Sequence, residues 1–242
     1  MLRIYDARSD ESVVAAPARR ALTRVEAHAP GSGTTDLRVL LVADVLARAL
    51  EIGGTPVWAV LAGGEQVAEL RAGATALGIR PFEDRRDVGP EFAGAQLIHV
   101  VRRGDEATGG IRIDVAPADS GEAVGVPGDV DPATLRLALL ARPRSEPVHL
   151  TPAALTDTGS TLAHWRRSVA VWAVQPSRPV PEGVRQELRA AWEDDLNLPA
   201  VLDVLRRVET LDGLPDGARF ETYAYADRIL GIELTREIGS LT

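Results

Sequence analysis

The stretch APGSGTTDLR, residues 29–38, gathers Gly31 and Gly33, the hydroxyls of Ser32, Thr34 and Thr35, the carboxylate of Asp36 and the guanidinium of Arg38 into one turn that opens an apolar helix pattern. Such a turn can hold a phosphate. Free backbone amides at a helix N-terminus attract anions, and glycine lets an anion come close to the backbone. Arg38 is the natural cation to meet it, and His28 stands at the end of the preceding strand, where ligands of open α/β sheets bind. His28, Gly31, Ser32, Gly33, Thr34, Thr35, Asp36 and Arg38 therefore form the candidate ligand site. The same residues also satisfy a plainer account. Asp36 in the first helical turn complements the helix dipole and repels a phosphate, Thr34, Thr35 and Asp36 are good capping residues, and Arg38 can pair with a nearby acid.

Other reactive groups are sparse. The 242 residues include no cysteine, and none of the 27 basic residues is a lysine. Disulfides, thiolate metal sites, cysteine nucleophiles, Schiff bases and a phosphate-grasping lysine are thereby excluded for this chain. His99 lies in an apolar pattern that suggests a helix, and His149 and His164 are too far apart to pair on one helix, so no metal and no zinc are expected. WEDDLNLP, residues 192–199, holds three adjacent acids that invite acid–base or magnesium chemistry. Capping of the next helix by Asp195 or Asn197 accounts for them more simply. Trp165, Trp172 and Trp192 recur on helical faces and are expected as core anchors. No catalytic residue is assigned.

The elements that must position these groups change character along the chain. Strand-like runs at 21–28 and 55–62 flank a helix pattern closed by Gly53 and Gly54, which makes a β-α-β unit. A helix is expected over 66–77, a loop over 79–92, a helix through AGAQLIHVVRR (93–103), a strand at GIRIDV (110–115) and a linker over 116–130. Helices follow at 131–142, 152–174, 182–195, 198–211 and 219–230, several opened by a capping residue and proline. The expected fold is α/β plus all-α: a reduced Rossmann-like parallel sheet over 1–120, then a helical bundle over 121–242. A net charge of −8 with scattered basic residues argues against extensive nucleic-acid binding. MLRIYDARSDESVV has neither the basic start nor the apolar core of a signal peptide, so a soluble, cytoplasmic protein away from membranes is expected.

Taken in order, LRIYDARS, LLVADVLARALEIGGTPVWAV, ALGIRP, DPATLRLALLARPRSEPVHLTPAAL, LAHWRRSV and LRAAWEDDLNLPAVLDVL resemble cysteinyl-tRNA synthetases, and more closely the cysteine ligases of mycothiol biosynthesis. The resemblance implies a class I, Rossmann-type fold that binds ATP, activates cysteine as an adenylate and passes it to tRNA or an amino sugar. It also implies a His-Ile-Gly-His type motif, a Lys-Met-Ser-Lys-Ser type loop and a zinc ion that grips the cysteine thiol. The first motif falls on Gly33, Thr34, Thr35 and Asp36, followed by Leu37 and Arg38, with neither histidine. The loop has no lysine, and the cysteine-and-histidine zinc set has no cysteine. Only a short loop joins GIRIDV to DPATLRLALL, where the family carries the second half of its nucleotide fold, so that half is expected to be excised. An anticodon-binding domain is likewise not expected.

On these grounds the chain is expected to be a catalytically degenerate paralogue, acting as a binding or regulatory protein through a residual pocket or a protein interface. The alternative is an ATP-dependent cysteine or aminoacyl ligase, or an aminoacyl transferase, with a modified nucleotide site completed by another subunit. ATP or an aminoacyl adenylate is the candidate small molecule. A protein partner or a homodimer is expected on the shortened sheet, and tRNA is not.

Overall fold

The computed structural model describes residues 1–18, 20–84, 95–119 and 130–240. Two short strands, β1 (Arg3–Asp6) and β2 (Glu11–Val14), make an antiparallel hairpin whose turn takes Asp10 into the left-handed region, at φ 61°. β3 (Thr23–Ala29) is two-faced: Val25, Ala27 and Ala29 are fully buried on one side, while Arg24, Glu26 and His28 alternate onto the other. α1 (Thr34–Ile52) leads to β4 (Val57–Gly63), which pairs parallel to β3, as a β-α-β unit requires. Fourteen of the 19 residues of α1 are buried. A helix that apolar on every side belongs in the middle of a fold, and α1 packs on the sheet as well as on the helices that follow.

α2 (Val67–Ala76) carries the chain to β5 (Glu83–Asp84). β6 (Gln96–Arg102) then pairs with the other side of β3, and β7 (Ile111–Val115) with β6, giving the all-parallel order β5-β4-β3-β6-β7. This is the Rossmann-like sheet that the sequence pattern suggests. One expectation needs correction. Residues 96–102 are a strand, because the apolar run is too short for a buried helix and pairs in parallel register with β3 and β7. β6 and β7 are joined by residues 103–110 without a crossover helix. That link folds tightly, with Gly104, Gly109 and Gly110 at positive φ, and a Cβ on Gly110 would lie 2.3 Å from the Leu97 carbonyl oxygen. The outer edge of β7 is met by the first hairpin, where Ala7 N–H donates to the Arg112 carbonyl at 2.8 Å and Arg112 N–H to Asp6 at 2.9 Å.

β8 (Ala118–Asp119) pairs with β9 (Val148–His149) around α3 (Pro132–Leu140). α4 (Pro152–Trp172), α5 (Glu182–Glu193), α6 (Leu198–Glu209) and α7 (Asp216–Leu230) complete the helical region. Its starts are capped as the sequence suggests: Asp131, Thr151 and Asn197 accept from Ala133, Ala154 and Ala200 N–H, each with proline in the first turn. Trp165, Trp172 and Trp192 are all buried, the first two with edge-on contacts to Tyr223. A continuous buried cluster runs from Leu2 and Ile4 through α1 to Ile232 and Leu234. Most of the expected loop at 79–92 and linker at 116–130 lies outside the described residues.

Candidate functional site

The turn after β3 sits where the strand order reverses, between β3 and β6, which is the place for a ligand in a doubly wound sheet. Gly33 is the N-cap of α1 and no side chain caps it. Asp36 instead folds back over the turn, its Oδ1 3.3 Å from the Gly31 nitrogen, which donates to it. A Cβ on Gly31 would lie 2.9 Å from Asp36 Oδ2, so glycine is needed there to admit the carboxylate. Asp36 is 5% exposed, and Arg102 approaches it to 3.9 Å from the end of β6. The chain's own carboxylate thus lies over the turn, close to the helix dipole's positive end.

The remaining turn residues are tied to the fold. The Ser32 hydroxyl lies 3.1 Å from both Gln66 and Glu69 at the start of α2. Thr35 accepts from Ala118 N–H at 3.1 Å and lies 3.2 Å from the carbonyl of the same residue, so it anchors β8 rather than capping α1. Gly64 packs so closely that a Cβ would come within 2.2 Å of the Pro30 carbonyl oxygen. Thr34 stands at the first position of α1.

Arg38 does not reach the turn. It is 1% exposed and donates from Nη1 to the Ala116 and Glu146 carbonyls at 2.9 and 2.7 Å, and from Nη2 to Pro143 at 2.8 Å. Burial, with Arg103 nearby, pulls its pKa down to about 10. It is a buried clasp between α1 and the segments around α3, neither an anion ligand nor a partner of Asp36.

His28 is not isolated. The β3·β6 pairing sets Glu26 opposite His99, and His28 follows Glu26 on the same face. His28 Nε2 and His99 Nδ1 are 2.9 Å apart, and Glu26 Oε1 is 3.8 Å from His28 Nε2. His99 Nε2 is 3.1 Å from the Thr108 carbonyl oxygen, supplied by the link between β6 and β7. Reading residues 93–103 as a helix hid this cluster, because only a strand register brings positions 26 and 99 together. The shortness of the apolar run LIHVV was the signal that could have found it.

The acids of residues 193–195 are structural. Asp195, at φ 52°, accepts from Tyr5 N–H at 2.9 Å and pairs with Arg144, while Asn197 caps α6. His164 pairs with Glu209 on the helical side. A hollow of 840 Å³, lined in part by Arg48, Asp131, Asp227 and Arg236, opens beside α3 and α7 and touches none of the candidate turn residues. No helix among the described residues is long and apolar enough to cross a membrane.

Sheet order, switch-point turn and C-terminal helices together define a Rossmann-like α/β protein with a helical region. The particular relatives are cysteine ligases. The chain is 36% identical over 109 residues to the L-cysteine:1D-myo-inositol 2-amino-2-deoxy-alpha-D-glucopyranoside ligase of Streptomyces griseus, covering 43% of this chain and 26% of the relative. The ligase of the same name from Streptomyces avermitilis is 34% identical over 109 residues, with the same coverage, and that of Thermobispora bispora 32% over 106 residues, or 44% and 25% of the two chains. The matches thus span about a quarter of the length of these curated relatives. No protein-family model matches the chain.

Proposed function

We propose that this chain is a motif-degenerate paralogue of the cysteine-activating ligases, a cytoplasmic protein that binds rather than adenylates. The observation that carries the reading is the Asp36 carboxylate on the Gly31 amide. Adenylation requires positioned donors and cations around the transferring phosphate. Here a carboxylate lies over the turn at the helix N-terminus, Arg102 approaches that carboxylate to 3.9 Å, Arg38 is buried on carbonyls, and no lysine exists in the chain. Cysteine-dependent ATP–pyrophosphate exchange tests it directly: the expected result is no exchange above a no-enzyme control, and robust turnover would overturn the reading.

One observation favours the second reading, an ATP-dependent ligase or aminoacyl transferase with a modified site. The doubly wound order and its switch point survive on both sides of β3. A thermal shift by ATP or a nonhydrolysable cysteinyl adenylate supports that reading, because a ligand of the native state raises the melting temperature. Binding through a protein partner or a second copy is the expected mode for the degenerate protein. A strictly monomeric species at micromolar concentration in sedimentation, with no captured partner, argues against it.

A further inference from the structure

We infer that Glu26, His28 and His99 bind one divalent transition-metal ion of the zinc type, through two imidazole nitrogens and a carboxylate oxygen. One ligand atom from each of the three lies within 4.8 Å of the others. The inference goes beyond the proposed function, since it holds whether or not the chain adenylates anything. It also differs from the zinc set implied by the resemblance, which uses cysteines that this chain does not have.

Strand geometry supplies the site. Two residues apart on β3, Glu26 and His28 project from one face, and the parallel register places His99 directly beside Glu26. Neither needs a loop to hold it. Glu26 is 1% and His99 4% exposed, while His28 is partly open to solvent, so the ion would meet two sheltered ligands and one accessible approach. The Thr108 carbonyl fixes the His99 ring. An oxygen 3.1 Å from Nε2 holds the proton on that nitrogen and leaves the Nδ1 lone pair aimed at His28, the arrangement by which protein groups orient metal-bound histidines.

Distances agree with the inference. The two facing nitrogens are 2.9 Å apart, and on a tetrahedral zinc with Zn–N of about 2.0–2.1 Å they would stand roughly 3.3 Å apart. A few tenths of an ångström of side-chain movement, with the shared proton moved from Nε2 to Nδ1 of His28, converts the hydrogen-bonded pair into a ligand pair. Three protein ligands of this kind leave a fourth position for water or a small ligand, as open zinc sites do.

The test uses the whole chain stripped with a chelator, then titrated with Co²⁺ followed by its visible ligand-field bands and with Zn²⁺ by calorimetry. One ion per chain and four-coordinate cobalt bands are expected. His99→Gln and Glu26→Gln should each weaken binding by at least about tenfold, with circular dichroism of the metal-free variants unchanged. If His99→Gln does not fold, His28→Asn at the more open ligand makes the same test. Absence of saturable binding at micromolar metal, or a folded variant that binds like the wild type, overturns the inference and leaves a metal-free histidine pair. Pyrophosphate exchange is a separate readout, so failure of one proposal does not disguise failure of the other.

Discussion

Arg136 on α3 places Nη2 2.8 Å from Oδ2 of Asp44 on α1, with both side chains fully buried. The same guanidinium donates to the Leu230 carbonyl at the end of α7 and to Leu77 after α2. Asp44 in turn accepts from Arg48 and Arg80 at 2.9 and 3.0 Å. One ion pair therefore ties the sheet's crossover helix to three other helices. Burial disfavours charge on both partners. For Asp44 the surrounding Arg136 and Arg48 outweigh it and hold the carboxyl below its usual value, while for Arg136 burial keeps the upper hand and lowers its pKa despite Asp44.

Removing Asp44 leaves Arg136 charged and buried with only carbonyls for partners, which costs about 3–5 kcal/mol, whereas Asp44 without Arg136 keeps Arg48 and Arg80. Asp44→Leu should lower the urea unfolding free energy by that order, and Arg136→Met with Asp44→Leu should recover part of the loss. A single variant as stable as the wild type contradicts the account of this pair.

The turn offers a sharper test of function. Asp36→Asn keeps an oxygen for the Gly31 amide but removes the charge that opposes a phosphate. Millimolar pyrophosphate should then raise the melting temperature of the variant and leave the wild type unmoved. Equal shifts in both proteins mean that Asp36 is not what closes the anion position.

Gly64→Ala probes the same turn through packing. A methyl group there meets the Pro30 carbonyl oxygen at 2.2 Å, a backbone atom that cannot swing away. Overpacking of this kind costs about 1–3 kcal/mol. Thermal unfolding that is unchanged in Gly64→Ala would show that Pro30 and Gly64 are not held in contact.

Much of this fold is legible in residue pattern, and the failures share a cause. α1, the capped helices and the first crossover follow from local periodicity and from Asp131, Thr151 and Asn197 with their prolines, all within a few residues of one another. β6 was obscured because a short apolar run fits a buried helix or a strand until its neighbours are known. Arg38 could not be placed from its sequence neighbours, since its partners are carbonyls more than 75 residues away. The Glu26, His28 and His99 cluster is likewise a product of strand register, with 71 residues between the two histidines. Chemistry made by non-local pairing leaves little trace in local spacing.

The buried carboxylates give stability a pH dependence whose two components oppose each other. Asp44 has a folded pKa below its unfolded value, so its contribution is complete above the ordinary carboxylate range and fades as pH falls through the lower folded value. Asp131 acts in the same sense: burial opposes ionisation, but the hydrogen bond from Arg166 prevails. Asp227 acts oppositely. Burial raises its pKa even though it accepts from Ile232 and Leu234 N–H at 2.8 and 2.9 Å, so the folded state takes up a proton first and gains stability as pH falls through that raised value. Urea unfolding measured from neutral to acid pH should therefore show a flatter acid limb in Asp44→Asn and a steeper one in Asp227→Asn than in the wild type. The same slope in all three proteins would mean that neither carboxylate titrates differently in the folded and unfolded chains.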